Sequence, residues 1–161
     1  MSIVVSDTSP VRALIHLNLF SLVEHYFSDI VIPPAVVAEL ERPITKFVPI
    51  AVSSLGKVRV TPPSDLNLIQ LLLRELDQGE SEAIALAVEL HADALPIDES
   101  KGRAVAERMG IERIGARGLL ARAKRDRLIP KIKPLLDELR DGLGVYVSDS
   151  FYAAFIRSAG E

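Results

Sequence analysis

The chain has 161 residues, no cysteine and 48% hydrophobic residues. That excludes a disordered chain, disulfide staples and thiolate metal sites, and it points to a single packed domain over 1–161 in a reducing cytoplasm. No run approaches ~18 uncharged apolar residues, so no membrane span is expected, and Asp7 arrives too early for a secretory leader. The net charge of −3 is unevenly spread: residues 1–100 carry 6 Lys+Arg against 14 Asp+Glu, residues 101–133 carry 11 against 3, and residues 134–161 carry 2 against 5.

Ile3-Val4-Val5 is a continuous apolar run, as expected of a strand buried on both faces, and Asp7 ends it. Ser9-Pro10 opens a helix with Val11, Leu14, Ile15 and Leu17 inward, and a second helical stretch covers 19–27. Ile30-Val31-Ile32 is the next strand, and Pro33-Pro34 starts the helix AVVAELE. Residues 45–56 are expected to be helical, with Val58–Val60 a short edge strand. Thr61-Pro62-Pro63-Ser64 breaks the chain before a Leu-rich helix over 66–76, which suits a core or a dimer interface. Gln78-Gly79 then starts GESEAIALAVELHA. Ala94 to Ile97 is a strand ending at Asp98, followed by a helix over 99–109 closed by Gly110. Ile111 to Ile114 is a strand, 116–127 the basic helix, and Pro130 and Pro134 frame a helix ending near Gly142. Val145–Val147 is expected as a last strand, and Ser148 as the cap of the terminal helix. Strands alternating with helices give βαβ units and a mainly parallel sheet covered on both faces.

Ligands of open α/β sheets bind beyond the carboxyl ends of the strands, and Asp7 and Asp98 both follow strands there. Either acid alone could instead be a helix N-cap. Two helical acids could join them. Glu39 lies in the mostly apolar Val36–Leu40. Glu82 lies in the first turn of a stripe formed by Ala83, Ala87 and Leu90, although its spacing leaves ordinary acid enrichment open, and Glu80 is read as such enrichment. Clustered carboxylates need a cation or raised pKa values, and oxygen ligands suit Mg²⁺ or Mn²⁺. Arg122, Lys124 and Arg125 could meet phosphates or form a solvated face. His16, His25 and His91 lack metal-ligand spacing. Residues 51–57 lack the first glycine and the Ser/Thr of a phosphate loop.

Val5-Ser6-Asp7-Thr8-Ser9-Pro10, Val36-x-x-Glu39-Leu40, Gly79-Glu80-x-Glu82-Ala83-Ile84-Ala85-Leu86-Ala87 and Leu95-x-Ile97-Asp98-Glu99, followed by Arg103-x-x-Ala106 and Ile114-Gly115, together resemble a PIN domain. The likeness is to a prokaryotic branch and, less closely, to VapC-type toxins. It implies a three-layer α/β/α sandwich and Mg²⁺- or Mn²⁺-dependent cleavage of RNA. It carries the metal and catalytic roles onto Asp7, Glu39, Glu82 and Asp98, with Ser9 supporting the first acid and Asp149 at the position of a further acid. It also implies a small antitoxin partner, with a homodimer expected. Two departures stand out. Pro96 occupies a strand position, which would shift Asp98, and Ala116-Arg117-Gly118 replaces Thr-Leu-Gly. A non-catalytic module that binds protein or RNA is the alternative. An aspartyl phosphohydrolase fits less well, because Asp7-Thr8-Ser9 lacks the second aspartate.

Overall fold

The computed structural model describes residues 2–161. Its strands are β1 (Ile3–Val5), β2 (Asp29–Ile32), β3 (Val58–Val60), β4 (Leu95–Pro96) and β5 (Arg113–Ile114). β2 lies between β1 and β3, all parallel, with Val4 opposite Ile30 and Ile30 opposite Val58. β4 pairs with β5, also parallel. A Val4–Ala94 bridge joins the two ladders, supported by hydrogen bonds from Val5 N to Ala94 O and from Asp7 N to Pro96 O. The spatial order is therefore β3-β2-β1-β4-β5, with every carboxyl end on one edge.

The helices are α1 (Thr8–His16), α2 (Ser21–Tyr26), α3 (Pro34–Glu41), α4 (Leu66–Leu72), α5 (Gln78–Glu89), α6 (Ser100–Arg108), α7 (Ala116–Arg125), α8 (Lys133–Asp137) and α9 (Asp149–Ser158). Alternate strand residues face opposite layers. Val5, Val31, Leu95 and Ile97 pack with Ile84 of α5 and Val105 of α6. Val4 and Ile30 pack on the other face with Leu14 of α1, Val23 of α2 and Leu119 of α7. A further cluster joins α7 to α8 and α9 through Leu120, Ile132, Leu136 and Ile156. The result is an α/β/α sandwich. No helix among the described residues is long and apolar enough to cross a membrane.

Two expected elements are absent from these positions. Residues 45–56 contain only a 3₁₀ turn at Val52–Ser54, because Pro43 and Pro49 restrict the backbone beside them and Ile44 bridges to Phe47 in a tight turn. Val145–Val147 joins no strand. Gly144 has φ +72, Val145 N donates to Leu139 O, and Val147 fills the cluster around α9. The apolar–polar–apolar triplet thus closes a helix end instead of pairing. Pro96 does sit within β4. Leu95 N and Ile97 N donate toward β5, so the missing N–H of Pro96 falls on the β1 side, where its carbonyl still accepts from Asp7 N.

Candidate active site

Asp7 leaves β1 and takes the N-cap position of α1 in extended conformation, yet its side chain makes no capping hydrogen bond. It is 4% exposed. Burial in a low-dielectric site penalises its charge and pushes its pKa up to about 8, partly offset by the Thr8 amide and reinforced by Glu80, Glu39 and Asp77. Asp7 is therefore a carboxyl group held among other carboxylates.

Glu39 reaches this place from α3. Its Oε2 accepts from Thr8 Oγ1 at 2.5 Å. Its Oε1 lies over Gly79 of α5, 2.5 Å from where a β-carbon would stand, so any larger residue there would make the Glu39 carboxylate shift. Arg12, also buried, donates from Nη2 to the backbone carbonyl of Glu39 at 2.6 Å and stacks on Phe47 at 4.8 Å. Burial lowers its pKa while nearby Glu39 opposes that shift.

Glu80 belongs to a capping box at the start of α5. Its N donates to Asp77 Oδ1 at 2.8 Å, and its Oε2 accepts from Asp77 N at 3.3 Å. The box uses only one carboxylate oxygen. Glu80 is 6% exposed, and its Oε1, like the neighbouring Ser81 Oγ, is buried without a hydrogen-bond partner among the described residues. Burial, then Asp77, push the pKa of Glu80 up. Glu82 turns elsewhere. Its Oε2 accepts from Ala35 N at 2.9 Å and its Oε1 from Gln78 Nε2 at 2.8 Å. Pro33 precedes α3 and has no side-chain acceptor, so Glu82 caps that helix from its neighbour.

Asp98 leaves β4 between the starts of α6 and α7. Its Oδ1 accepts from Ala116 N, the first amide of α7, at 3.2 Å. Gly115 gives it room, since a β-carbon there would lie 2.6 Å from Oδ1. Burial raises the pKa of Asp98, while the Ala116 amide, Arg117 and Arg103 pull it down.

The structure thus gathers Asp7, Glu39 and Glu80, with Asp98 on the adjacent strand end, and directs Glu82 to α3. Ser9 is exposed and makes no side-chain hydrogen bond among the described residues, whereas Thr8 holds Glu39. Asp149 is exposed at the first position of α9, with no hydrogen bond to these acids. Arg122, Lys124 and Arg125 lie at the far end of α7, paired with Asp126, Glu161 and Asp126 respectively.

The donors are carboxylate oxygens only, and two of them, on Asp7 and Glu80, are desolvated without a cation beside them. That chemistry fits a hard divalent ion. Among the described residues no three His, Asp or Glu side chains converge closely enough to enclose one as they stand. Glu39 is turned to Thr8, Glu80 to Asp77 and Asp98 to Ala116, so each already has a hydrogen-bond donor within the protein.

A parallel sheet between helical layers, with carboxylates along its carboxyl edge, defines an α/β/α domain whose candidate site lies beyond the strand ends. The family model for the PIN domain, DUF3368, matches residues 3–161, and the chain belongs to that family. PIN domains are typically nucleases and generally use divalent metal ions. No curated protein matches the chain in sequence.

Proposed function

We propose that this protein is a metal-dependent endoribonuclease that hydrolyses RNA phosphodiester bonds, acting as the toxin of a toxin–antitoxin pair. The observation that carries the reading is Asp7. It is a buried carboxyl group at the end of the first strand, without a cationic partner, raised to about 8 and facing Glu39 and Glu80. Deprotonating such a group costs stability, and a bound cation would offset that cost.

Asp7, Glu39, Glu80 and Asp98 would hold Mg²⁺ or Mn²⁺. When bound, the ion supplies a more acidic water and a polarised phosphate. The chain supplies orientation: Thr8 fixes Glu39 and the Ala116 amide fixes Asp98. Glu82 acts at one remove, by seating α3 and therefore Glu39. No protein nucleophile is required. The lack of cysteine suits a reducing cytoplasm. An antitoxin segment carrying Arg or Lys would satisfy the same carboxylates and compete with Mn²⁺. Leu66 and Leu71, exposed on α4, offer a dimer contact.

The test is cleavage of labelled RNA with Mn²⁺ and with a chelator. Asp7→Asn should reduce the rate about a thousandfold, roughly 4 kcal/mol of transition-state stabilisation. Metal-independent cleavage, or full activity in Asp7→Asn, would rule the mechanism out. The second reading is a non-catalytic RNA- or protein-binding module. It is favoured by the acids already hydrogen-bonded to the protein, and cleavage of RNA by the wild type excludes it.

A further inference from the structure

An arginine whose stem is partly covered while its guanidinium pairs with no protein group keeps its donors free for a ligand. Most unpaired basic side chains of this chain are exposed. Among the described residues, Arg103 and Arg117 are the half-buried ones whose side chains make neither a hydrogen bond nor an ion pair. Both stand beside Asp98. Arg117 is the second residue of α7, whose first amide binds Asp98 Oδ1. Arg103 is in the first turn of α6, with its N donating to the carbonyl of Glu99, the residue after Asp98.

Arg117 is also held in orientation. Its guanidinium carbon lies 4.6 Å from the centre of the Phe151 ring. Phe151 in turn stacks on Phe155, centroids 5.5 Å apart and 18° from parallel. This column of three planar groups fixes the fork without using its donors. The sequence departs from Thr-Leu-Gly at this turn, and the departure brings in the arginine.

We propose that Arg103 and Arg117 clamp a backbone phosphate of a bound nucleic-acid strand beside Asp98. The inference rests on the nuclease reading for the identity of its ligand. A phosphate monoanion accepts paired N–H donors from planar guanidinium groups and supplies the charge both arginines lack. The arrangement divides the site: the Asp7 side calls for a cation, and the Asp98 side for the anion next to it. The Coulombic pull of both arginines on Asp98 agrees with their placement beside it.

The test is binding of a fluorescent single-stranded oligoribonucleotide across a salt series, in an Asp7→Asn background that prevents cleavage. Arg117→Gln and Arg103→Gln should each weaken binding about tenfold and make the slope of log K against log salt shallower by roughly 0.7. Arg117→Lys should keep the slope, because the charge remains. Phe151→Leu should weaken binding with the slope unchanged, because only the orientation is lost. Arg108→Gln, at the far end of α6 and paired with Glu75, should change neither. A parent that does not bind, or glutamine variants with the parent's affinity and slope, would overturn the clamp. Cleavage by the wild type with Mn²⁺ tests the nuclease reading separately. Arginine-dependent binding without cleavage would sink only that reading, and cleavage without arginine dependence would sink only the clamp.

Discussion

Asp7 and Asp98 hold matching places, each just past the end of one of two neighbouring parallel strands, but their surroundings differ. Asp7 faces Glu80, Glu39 and Asp77, and the leading charges around it are all negative. Asp98 accepts an amide hydrogen bond and sits under the influence of Arg117 and Arg103. Strand position sets where a carboxylate stands. The first turn of the following helix and its neighbours set whether it stands there charged. One half of this edge is short of positive charge and the other half carries positive charge to spare.

The difference can be broken first through pH. Asp7 in the unfolded chain loses its proton near 3.8, whereas in the folded chain it keeps it to about 8. Between those values the folded state binds more protons, so its stability falls as pH rises and then levels off. Asp98, also raised, adds in the same direction. Asp7→Asn removes the larger contribution. It should raise stability at neutral pH by roughly 3–5 kcal/mol, at about 1.4 kcal/mol for each tenfold gain in proton affinity on folding, and flatten the decline. Thermal denaturation from pH 4 to pH 9 measures both. A variant no more stable than its parent above neutrality would mean that Asp7 is already ionised and balanced.

Glu82→Gln sharpens the contrast between the acids that face Asp7 and the one that does not. Losing the carboxylate on Ala35 N should cost about 1 kcal/mol of folding stability. The rise in melting temperature on adding Mn²⁺ should remain if Asp7, Glu39, Glu80 and Asp98 are the ligands as proposed. Glu80→Gln should show the reverse, a reduced response to Mn²⁺. Abolition of the Mn²⁺ response by Glu82→Gln would return Glu82 to the metal site.

The smallest effect is expected at the remote end of the basic helix. Arg122, Lys124 and Arg125 already have carboxylate partners. Replacing all three with Gln should therefore flatten the salt dependence of RNA binding by less than ~0.7 per residue. A full loss of that size for each would put the strand along the whole of α7 rather than at its first turn.

Much of this edge is legible in local pattern. Apolar runs ending at Asp7 and Asp98 mark buried parallel strands, and the Gly110 turn (φ +73) closes α6 where expected. Glu80 is harder to read. Asp77-x-x-Glu80 has capping-box spacing, and the box is present; one oxygen of Glu80 serves it while the other is buried without a hydrogen-bond partner among the described residues. The hydroxyl that holds Glu39 belongs to Thr8 and not to Ser9, because α1 begins at Thr8, two residues before the expected Pro10, and leaves Ser9 exposed. Glu82 depends on a helix distant in sequence, whose N-cap is a proline that cannot cap it. In each case the deciding contact is tertiary, and spacing along one segment does not encode it.

The outer strands carry a different consequence. The sheet ends in β3, three residues long, and β5, two residues long. Each carries an arginine fastened by an ion pair, Arg59 to Asp29 and Arg113 to Glu107, both at 2.7 Å. Since Val145–Val147 does not extend the sheet, these two strands are its borders. A border this short offers few free amides and carbonyls to a strand from another molecule, and the paired guanidinium groups add charge and bulk along it. The borders themselves oppose edge-to-edge fibre growth, so the chain should tolerate crowding and high expression without it.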